Sequence, residues 1–290
     1  MNYWWLAIRP KTIPASIGPV LLGSALAASG DSVDLLIFVL AALCAILLQI
    51  AVNLANDLFD GLAGVDTEER LGPARMVQSG FISVRAMSIG LALFTVAAMV
   101  CGLTLASLTD WRLLWFGLAC VVAVFAYSAG PIPLASAGLG EVAVLVFFGW
   151  IAVMGSDWLQ SNELSWTAFW YGTSAGLFSV AILLVNNLRD IPTDQHTGKH
   201  TLAVRLGANR TIALYRVVLL LALVIHMLIS LPNLLLALVP VAVVAVPLLK
   251  LQQQISQVSG RALNPLLGKT AATGLLYCIS SSLIMVLTNS

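Results

Sequence analysis

The sequence predicts an all-α membrane protein with nine transmembrane helices. The chain of 290 residues is 60% apolar and 9% charged and its mean hydropathy is +0.97, whereas soluble proteins carry about 25% charged residues. Its apolar residues are gathered into stretches close to the roughly 20 residues that a membrane-crossing helix needs. Because no polar stretch is long enough to build a soluble core, residues 1–290 are predicted to form a single membrane domain.

Polar segments and Gly or Pro residues divide the apolar stretches into separate predicted spans. Their approximate bounds are 12–29, 33–54, 84–107, 112–128, 139–156, 166–188, 211–231, 233–250 and 268–288. The eighth span contains Pro240 and Pro247, which membrane helices tolerate where neighbouring helices satisfy the freed backbone groups. An odd number of spans places the two chain ends on opposite sides of the membrane.

Basic residues test this topology independently, because cytoplasmic loops are enriched in Lys and Arg. With nine spans, 13 of the 14 basic residues fall on the side that holds the N-terminus, and Arg112 is the exception. The distribution predicts a cytoplasmic N-terminus and an external C-terminus.

The predicted second span ends in a polar motif, VNLANDLFDGLAGVD at 52–66. Its amide and acidic residues are Asn53, Asn56, Asp57, Asp60 and Asp66. Carboxylates inside or beside the membrane are costly and mark functional sites. The spacing of Asp57 and Asp60, at i and i+3, predicts that these two carboxylates lie on one helical face.

The predicted sixth span ends in a similar motif, VNNLRDIPTD at 185–194. Its polar and charged residues are Asn186, Asn187, Arg189, Asp190 and Asp194. Aligning Val52 with Val185 superposes the two motifs, which suggests an internal repeat of four-helix units with motifs at 53–66 and 186–194. Because Pro192 lies inside the second motif, we expect the helix to end or restart there.

Both motifs offer hard oxygen ligands without Cys or His, a set that favours Mg²⁺ over zinc or copper. The predicted metal ligands are Asn56, Asp57, Asp60, Asp190 and Asp194. Mg²⁺ is commonly held by one or two carboxylates together with substrate phosphates. The basic residues that follow the motifs, and that would neutralise a diphosphate, are Arg70, Arg75, Lys199 and Arg205.

Four segments of the chain resemble the UbiA superfamily of membrane prenyltransferases, and within it the 1,4-dihydroxy-2-naphthoate polyprenyltransferases of menaquinone synthesis. They read IRPKTIPASIGPVLLG at 8–23, NLANDLFDGLAGVDTEERLGPARMVQSG at 53–80, YSAGPIPLASAGLGEVAVLVFFG at 127–149 and NNLRDIPTDQHTGKHTLAVRLG at 186–207. The last segment is the most specific to the naphthoate branch. One departure is that relatives tend to carry a tyrosine just before GLGE, where this chain has Ala135, Ser136 and Ala137.

The resemblance implies a UbiA-like helical bundle around a central cavity, with Mg²⁺ between the two motifs. It also implies transfer of a polyprenyl group from an all-trans polyprenyl diphosphate to 1,4-dihydroxy-2-naphthoate, with loss of carbon dioxide, to give demethylmenaquinone. The implied location is the bacterial cytoplasmic (inner) membrane, among lipid, with the active site facing the cytoplasm. The net charge of +1 is no basis for a nucleic-acid partner, and the sequence identifies no protein partner.

The motifs and the resemblance together assign roles to individual residues. The expected catalytic residues are Asp57, Asp60, Asp190, Asp194 and Lys199. The expected substrate-binding residues are Asn53, Asn56, Arg70, Arg75, Asn186, Asn187, Arg189, Arg205, Lys11 and Glu141. Glu141 would contact either the acceptor hydroxyl or a basic partner, and Lys11 either a substrate anion or the lipid headgroups.

Two alternatives stay open from the sequence. The acceptor could be another aromatic compound such as 4-hydroxybenzoate. A transporter coupled to cations or protons would also show repeats and intramembrane acids. Both motifs are predicted at the cytoplasmic ends of their spans, beside basic loops, whereas transport sites lie near the membrane midplane. The position of the motifs therefore favours an enzyme that binds a phosphate.

Overall fold

A computed structural model describes residues 3–28, 33–64 and 71–289, and these segments are almost entirely helical. The α-helices are α1 Tyr3–Ile8, α2 Pro14–Ala27, α3 Leu35–Ala63, α4 Val84–Leu108, α5 Leu114–Ala126, α6 Gly140–Val144, α7 Ala152–Ser161, α8 Trp166–His196, α9 Leu202–Leu206, α10 Ala208–Ser230, α11 Leu234–Gln254 and α12 Leu263–Asn289. A π-helical segment, Leu145–Ile151, joins α6 to α7. Short 3-10 segments precede α2, α5 and α12.

Within the described ranges, seven helical segments are long and apolar enough to cross a membrane. They are Leu35–Ala63, Val84–Leu108, Gly140–Ser161, Trp166–His196, Ala208–Ser230, Leu234–Gln254 and Gly260–Thr288. The predicted first and fourth spans correspond to shorter apolar helices, Pro14–Ala27 and Trp111–Ala126. The all-α membrane class is confirmed, and the nine crossings stay a prediction.

Helix α3 begins and ends at residues suited to those positions. The Asp34 carboxylate accepts hydrogen bonds from the backbone N–H groups of Leu36 and Ile37 at 2.8 and 3.1 Å, which caps the N-terminus. Gly64 ends the helix with a left-handed φ of 64°. At about 1.5 Å per residue, 29 residues span about 43 Å, more than the roughly 30 Å hydrocarbon layer. The polar motif at the end of α3 can therefore lie at the membrane surface.

Helix α8 runs without a break through Pro192 to His196, so the expected end or restart at that proline is wrong. A proline removes one N–H donor and crowds the carbonyl four residues earlier, but its φ is compatible with a helix. The Thr193 hydroxyl donates to the Asp190 carbonyl at 2.9 Å, which adds a side-chain hydrogen bond in the same turn. Asp190 and Asp194 consequently lie on one continuous helix, one turn apart.

Helix α8 is the centre of the bundle. It packs against α2, α7, α10, α12 and the π-helical segment, while α3 packs mainly against α4 and α2. Close helix approaches use glycine: a Cβ added at Gly23 of α2 would collide with the Val153 carbonyl oxygen of α7. This packing brings the C-terminal ends of α3 and α8 to the same part of the molecule.

We expect Gly23→Ala to destabilise the protein, because its added methyl would force α2 away from α7. Overpacking of this kind typically costs about 1–3 kcal/mol. Gly268→Ala is the matched control, since nothing lies within 4 Å of a Cβ at that position and alanine favours helix. Thermal unfolding in detergent should show a lower midpoint for Gly23→Ala than for Gly268→Ala, and equal midpoints would contradict the packing described.

Candidate active site

A cavity of about 410 Å³ runs along the bundle between α2, α3, α5, α7 and α8. It follows α3 from Ala41 to Asp60, which at about 1.5 Å per residue corresponds to about 28 Å. One end is polar, and its lining includes Asn56, Asp60, Asn186, Asn187, Asp190, Asp194, Arg9, Arg75 and Lys199. The other end is apolar, with Leu105, Leu113, Phe116 and Leu159 among its walls. The shape suits a long apolar molecule with a charged head.

Asp60 connects the first polar motif to the loop that follows the second. Its Oδ2 atom accepts a hydrogen bond from Arg75 Nη2 at 2.6 Å and lies 3.4 Å from Lys199 Nζ. Lys199 follows the second motif along the chain, so this ion pair joins the end of α3 to the loop after α8. The structure brings Asp60, Arg75 and Lys199 together at one side of the cavity.

The second motif presents one face of α8 to the cavity. Asn186, Asp190 and Asp194 follow one another at intervals of four residues, and all three line the polar end together with Asn187. Because α8 is continuous, this i, i+4, i+8 series is geometrically regular. The sequence had left the relation between Asp190 and Asp194 undecided, and the helix resolves it.

Arg189 lies behind that face and is not among the described residues that line the cavity. Its guanidinium donates to both carboxylate oxygens of Asp190, at 2.8 and 2.6 Å, and to Asn186 Oδ1 at 2.8 Å. It also donates to Asn264 Oδ1 of α12 at 2.7 Å. With 2% of its surface exposed, Arg189 positions Asp190 and Asn186 and does not itself reach the cavity.

Asp57 also points away from the cavity lining. It is 1% exposed, and its two carboxylate oxygens accept the backbone N–H groups of Met76 and Val77, both at 2.9 Å. With 3.6 residues per turn, Asp57 lies about 60° around α3 from Asp60, which turns it toward the loop before α4. Its placement is that of an anchor for the loop that carries Arg75.

Because Asp60 and not Asp57 lines the cavity, the two halves of the suggested repeat must be aligned differently. The amide and acid that line the cavity are Asn56 and Asp60 on α3, and Asn186 and Asp190 on α8. Both pairs have the spacing Asn-x-x-x-Asp. The matching register is displaced by three residues from the Val52 and Val185 alignment. A hydrogen bond from the Ser128 hydroxyl to Asn56 Oδ1 holds the first of these amides.

Two other residues that were predicted to bind substrate, Asn53 and Arg205, make hydrogen bonds to protein groups. Asn53 lines the cavity, but its amide nitrogen donates to the Ile8 carbonyl at 2.8 Å and to Thr12 Oγ1 at 3.0 Å. Arg205 is exposed and donates to the backbone carbonyls of His200 and Ala137 at 3.1 and 2.8 Å. It therefore ties the loop after α8 to the loop before α6, away from the cavity.

At the N-terminus, the cavity is lined by Arg9 and not by Lys11, which is exposed. Arg9 has a left-handed φ of 55°, a conformation uncommon for residues other than glycine. Glu141 is 6% exposed, and its Oε1 accepts a hydrogen bond from Asn187 Nδ2 at 2.9 Å. The Asn187 amide therefore takes the place of the basic partner that was one of the two contacts expected for Glu141. Arg70 and Asp66 lie outside the described residues.

Sequence reasoning missed Ser128, Thr12 and Gln49, all of which contact the first motif or its neighbours. Ser128 comes from the turn after α5, 72 residues from its partner Asn56. No periodicity in the sequence indicates such a contact. The resemblance of the 127–149 segment was the only signal that pointed to this loop.

The polar end of the cavity has the donor set that Mg²⁺ requires. Asn56, Asp60, Asp190 and Asp194 offer amide and carboxylate oxygens, the ligand types that hard cations prefer. In the described part of the chain, no three His, Cys, Asp or Glu side chains cluster closely enough to enclose a metal. Mg²⁺ held by one or two carboxylates plus phosphate oxygens needs no such cluster, so the residues fit.

Comparison with known proteins gives a consistent set of similarities. The UbiA prenyltransferase family matches residues 16–285. The 1,4-dihydroxy-2-naphthoate octaprenyltransferase of Haemophilus influenzae is 39% identical over 218 residues, covering 72% of this chain and 71% of the relative. The enzyme of the same description from Escherichia coli is 40% identical over 210 residues, covering 70% of this chain and 68% of the relative.

Solved structures show the same fold. An apo structure of a UbiA homolog from Aeropyrum pernix K1 aligns with a TM-score of 0.72 and 17% identity, covering 96% of this chain and 99% of that one. A UbiA homolog from Archaeoglobus fulgidus bound to GPP and Mg²⁺ aligns with a TM-score of 0.67 and 14% identity, covering 99% and 100%. The bundle described above is therefore the fold of these UbiA homologs.

We expect Asp57→Asn to destabilise the loop that carries Arg75, because the new amide group would face backbone N–H donors. Leaving a buried group unsatisfied costs about 1–3 kcal/mol. Asp34→Asn is the matched control, since Asp34 also accepts two backbone N–H groups but is exposed and Asn caps helices as well as Asp. Faster proteolysis within 71–83 and a lower unfolding midpoint should be seen for Asp57→Asn alone. Equal behaviour of the two variants would contradict the anchoring role.

Proposed function

Since the chain belongs to the UbiA prenyltransferase family, we propose that it transfers a polyprenyl group from a polyprenyl diphosphate to 1,4-dihydroxy-2-naphthoate. The observation that carries this conclusion is the similarity to naphthoate octaprenyltransferases over about 70% of both chains. The acceptor loses its carboxylate as carbon dioxide, and the product is demethylmenaquinone in its reduced form. The protein is an integral membrane enzyme, with its prenyl diphosphate drawn from the surrounding lipid.

The diphosphate head binds at the polar end of the cavity. Asn56 and Asp60 on α3, with Asn186, Asp190 and Asp194 on α8, would hold Mg²⁺ beside it. When bound, the metal supplies neutralising charge to the departing diphosphate. Arg75 and Lys199 already lie on Asp60, so their N–H groups are placed to donate to phosphate oxygens. These cations stabilise the charge that develops on the leaving group.

The reaction breaks the bond between the allylic carbon and the diphosphate oxygen, and the electron pair leaves with the diphosphate. The electron-rich naphthoate ring then forms a carbon–carbon bond to the allylic cation. The carboxylate departs as carbon dioxide, and its bonding electron pair stays with the ring. The apolar walls formed by Leu105, Leu113 and Phe116 accommodate the prenyl tail and exclude water, which would otherwise capture the cation.

The membrane topology belongs to the same proposal. Nine crossings place the N-terminus, both motifs and the basic loops on the cytoplasmic side of the bacterial inner membrane. The strongly uneven distribution of Lys and Arg supports this orientation. The paired Asn-x-x-x-Asp sequences on α3 and α8 support an internal repeat inside a single domain. The polar residues lie at one end of the cavity, which supports an enzyme over a midplane transport site.

Asp60→Asn and Asp190→Asn should each lower prenyl transfer by about 10²–10³-fold, because each removes a charged oxygen that faces the diphosphate site. EDTA should stop the wild-type reaction, and Mg²⁺ should restore it. The thermal stabilisation that Mg²⁺ and a prenyl diphosphate confer together should disappear in both variants and persist in Asp57→Asn. Metal-independent transfer, or loss of that stabilisation only in Asp57→Asn, would contradict the site proposed.

The acceptor can be identified with purified protein and all-trans prenyl diphosphates. Offered in parallel, 1,4-dihydroxy-2-naphthoate should be prenylated and 4-hydroxybenzoate should not. Product masses should show the loss of carbon dioxide. Transfer to 4-hydroxybenzoate with retention of its carboxylate would refute the naphthoate assignment and leave the prenyltransferase assignment intact.

A further inference from the structure

Gln49 lies on α3 beneath the first motif and lines the cavity. It precedes Asn56 by seven residues, which corresponds to about 10 Å and close to two full helical turns. Its side chain therefore lies on the same face of α3 as Asn56 and Asp60, deeper in the cavity. Gln49 is 7% exposed, so its amide must find hydrogen-bond partners inside the protein or on a ligand.

The amide nitrogen of Gln49 is committed to two acceptors. Nε2 lies 3.1 Å from Thr12 Oγ1 and 3.4 Å from Asn53 Oδ1. The Thr12 hydroxyl donates its hydrogen to the Arg9 carbonyl at 2.9 Å, so toward Gln49 the Thr12 Oγ1 atom can act only as an acceptor. The Asn53 nitrogen donates to the Ile8 carbonyl at 2.8 Å, so its oxygen is likewise an acceptor.

These directions determine which way the Gln49 amide points. A flipped amide would place its carbonyl oxygen against two other acceptors, which is repulsive. The oxygen, Oε1, must consequently point away from Thr12 and Asn53. It is buried, and no hydrogen-bond donor in the described part of the chain reaches it. A buried acceptor without a donor costs about 1–3 kcal/mol, a cost that a ligand donor would remove.

We propose that Gln49 Oε1 accepts a hydrogen bond from a hydroxyl group of the aromatic acceptor, an inference that rests on the proposed function. The two substrates differ in the hydrogen-bonding groups that they offer to Gln49. A prenyl diphosphate offers apolar carbons and acceptor oxygens, whereas a dihydroxynaphthoate offers hydroxyl donors. Of these two substrates, only the acceptor carries a hydroxyl that can donate to an amide oxygen. Arg9, on the same wall of the cavity, carries the charge that the acceptor carboxylate requires.

This contact makes Gln49 a specificity-determining residue for the ring. A site built to hydrogen-bond a substrate hydroxyl discriminates against analogues without it, because its own polar group is then left unpaired. The bond to Thr12 holds the amide in place before the acceptor arrives. The same network connects Gln49 to the N-terminal segment that carries Arg9, so the groups that recognise hydroxyl and carboxylate share one scaffold.

The test compares dissociation constants for 1,4-dihydroxy-2-naphthoate, 1-hydroxy-2-naphthoate and 4-hydroxy-2-naphthoate. The wild-type enzyme should bind one of the two monohydroxy compounds about 10–100-fold more weakly than the dihydroxy compound. In Gln49→Leu and Gln49→Met that ratio should fall toward about 1, while the KM for the prenyl diphosphate stays unchanged. Thr12→Val is the control, because it disturbs the same network but leaves Oε1, and it should weaken all three naphthoates by one common factor.

The outcomes separate this inference from the proposed function. If the Gln49 variants weaken all three naphthoates equally, or raise the KM for the diphosphate instead, Gln49 only holds the N-terminal segment and the inference is wrong. A wild-type enzyme that prenylates 4-hydroxybenzoate refutes the naphthoate assignment, and the comparison of that acid with benzoate then tests Gln49. Stabilisation by Mg²⁺ and prenyl diphosphate verifies that each variant is folded.

Discussion

A charge inside a helical membrane bundle needs a partner, and the pairing of Asp60 with Lys199 and Arg75 meets this need at one side of the cavity. Withdrawing an ion from water costs several kcal/mol unless another charge and hydrogen bonds compensate. The distances of 2.6 and 3.4 Å show that both cations contact one carboxylate oxygen. Because Lys199 follows α8 and Asp60 lies in the last turn of α3, this compensation also links the first motif to the loop after the second.

The polar end of the cavity is built in two layers with different tasks. Asn56, Asp60 and Asp190 face the cavity, where they can contact a metal and phosphate. Arg189 and Asp57 lie behind them and make hydrogen bonds to protein groups. Oriented ligands reduce the reorganisation that metal and substrate binding would otherwise demand. The second layer thus accounts for charged residues of the motifs that do not reach the cavity.

Along α3, the lining of the cavity changes from polar residues near Asp60 to apolar residues at the other end. In the proposed reaction, the charged head would lie beside Asp60, and the prenyl tail beside Leu113 and Phe116. Gln49 lies between these regions and has one amide oxygen to offer. In the proposed reaction, the ring would be recognised next to the bond that breaks, which favours a productive approach.

The sequence by itself determined the membrane class, the two polar motifs and the preference for oxygen ligands, because hydropathy and ligand chemistry depend on residue type alone. The family resemblance and the prenyl-transfer function were also available at that level. Only the tertiary structure decided that Asp60 and not Asp57 faces the cavity, since about 60° of rotation around one helix separates them. It likewise selected Arg9 over Lys11 and joined Ser128 to Asn56. Such choices depend on helix rotation and on contacts between residues far apart in the chain, which local patterns do not encode.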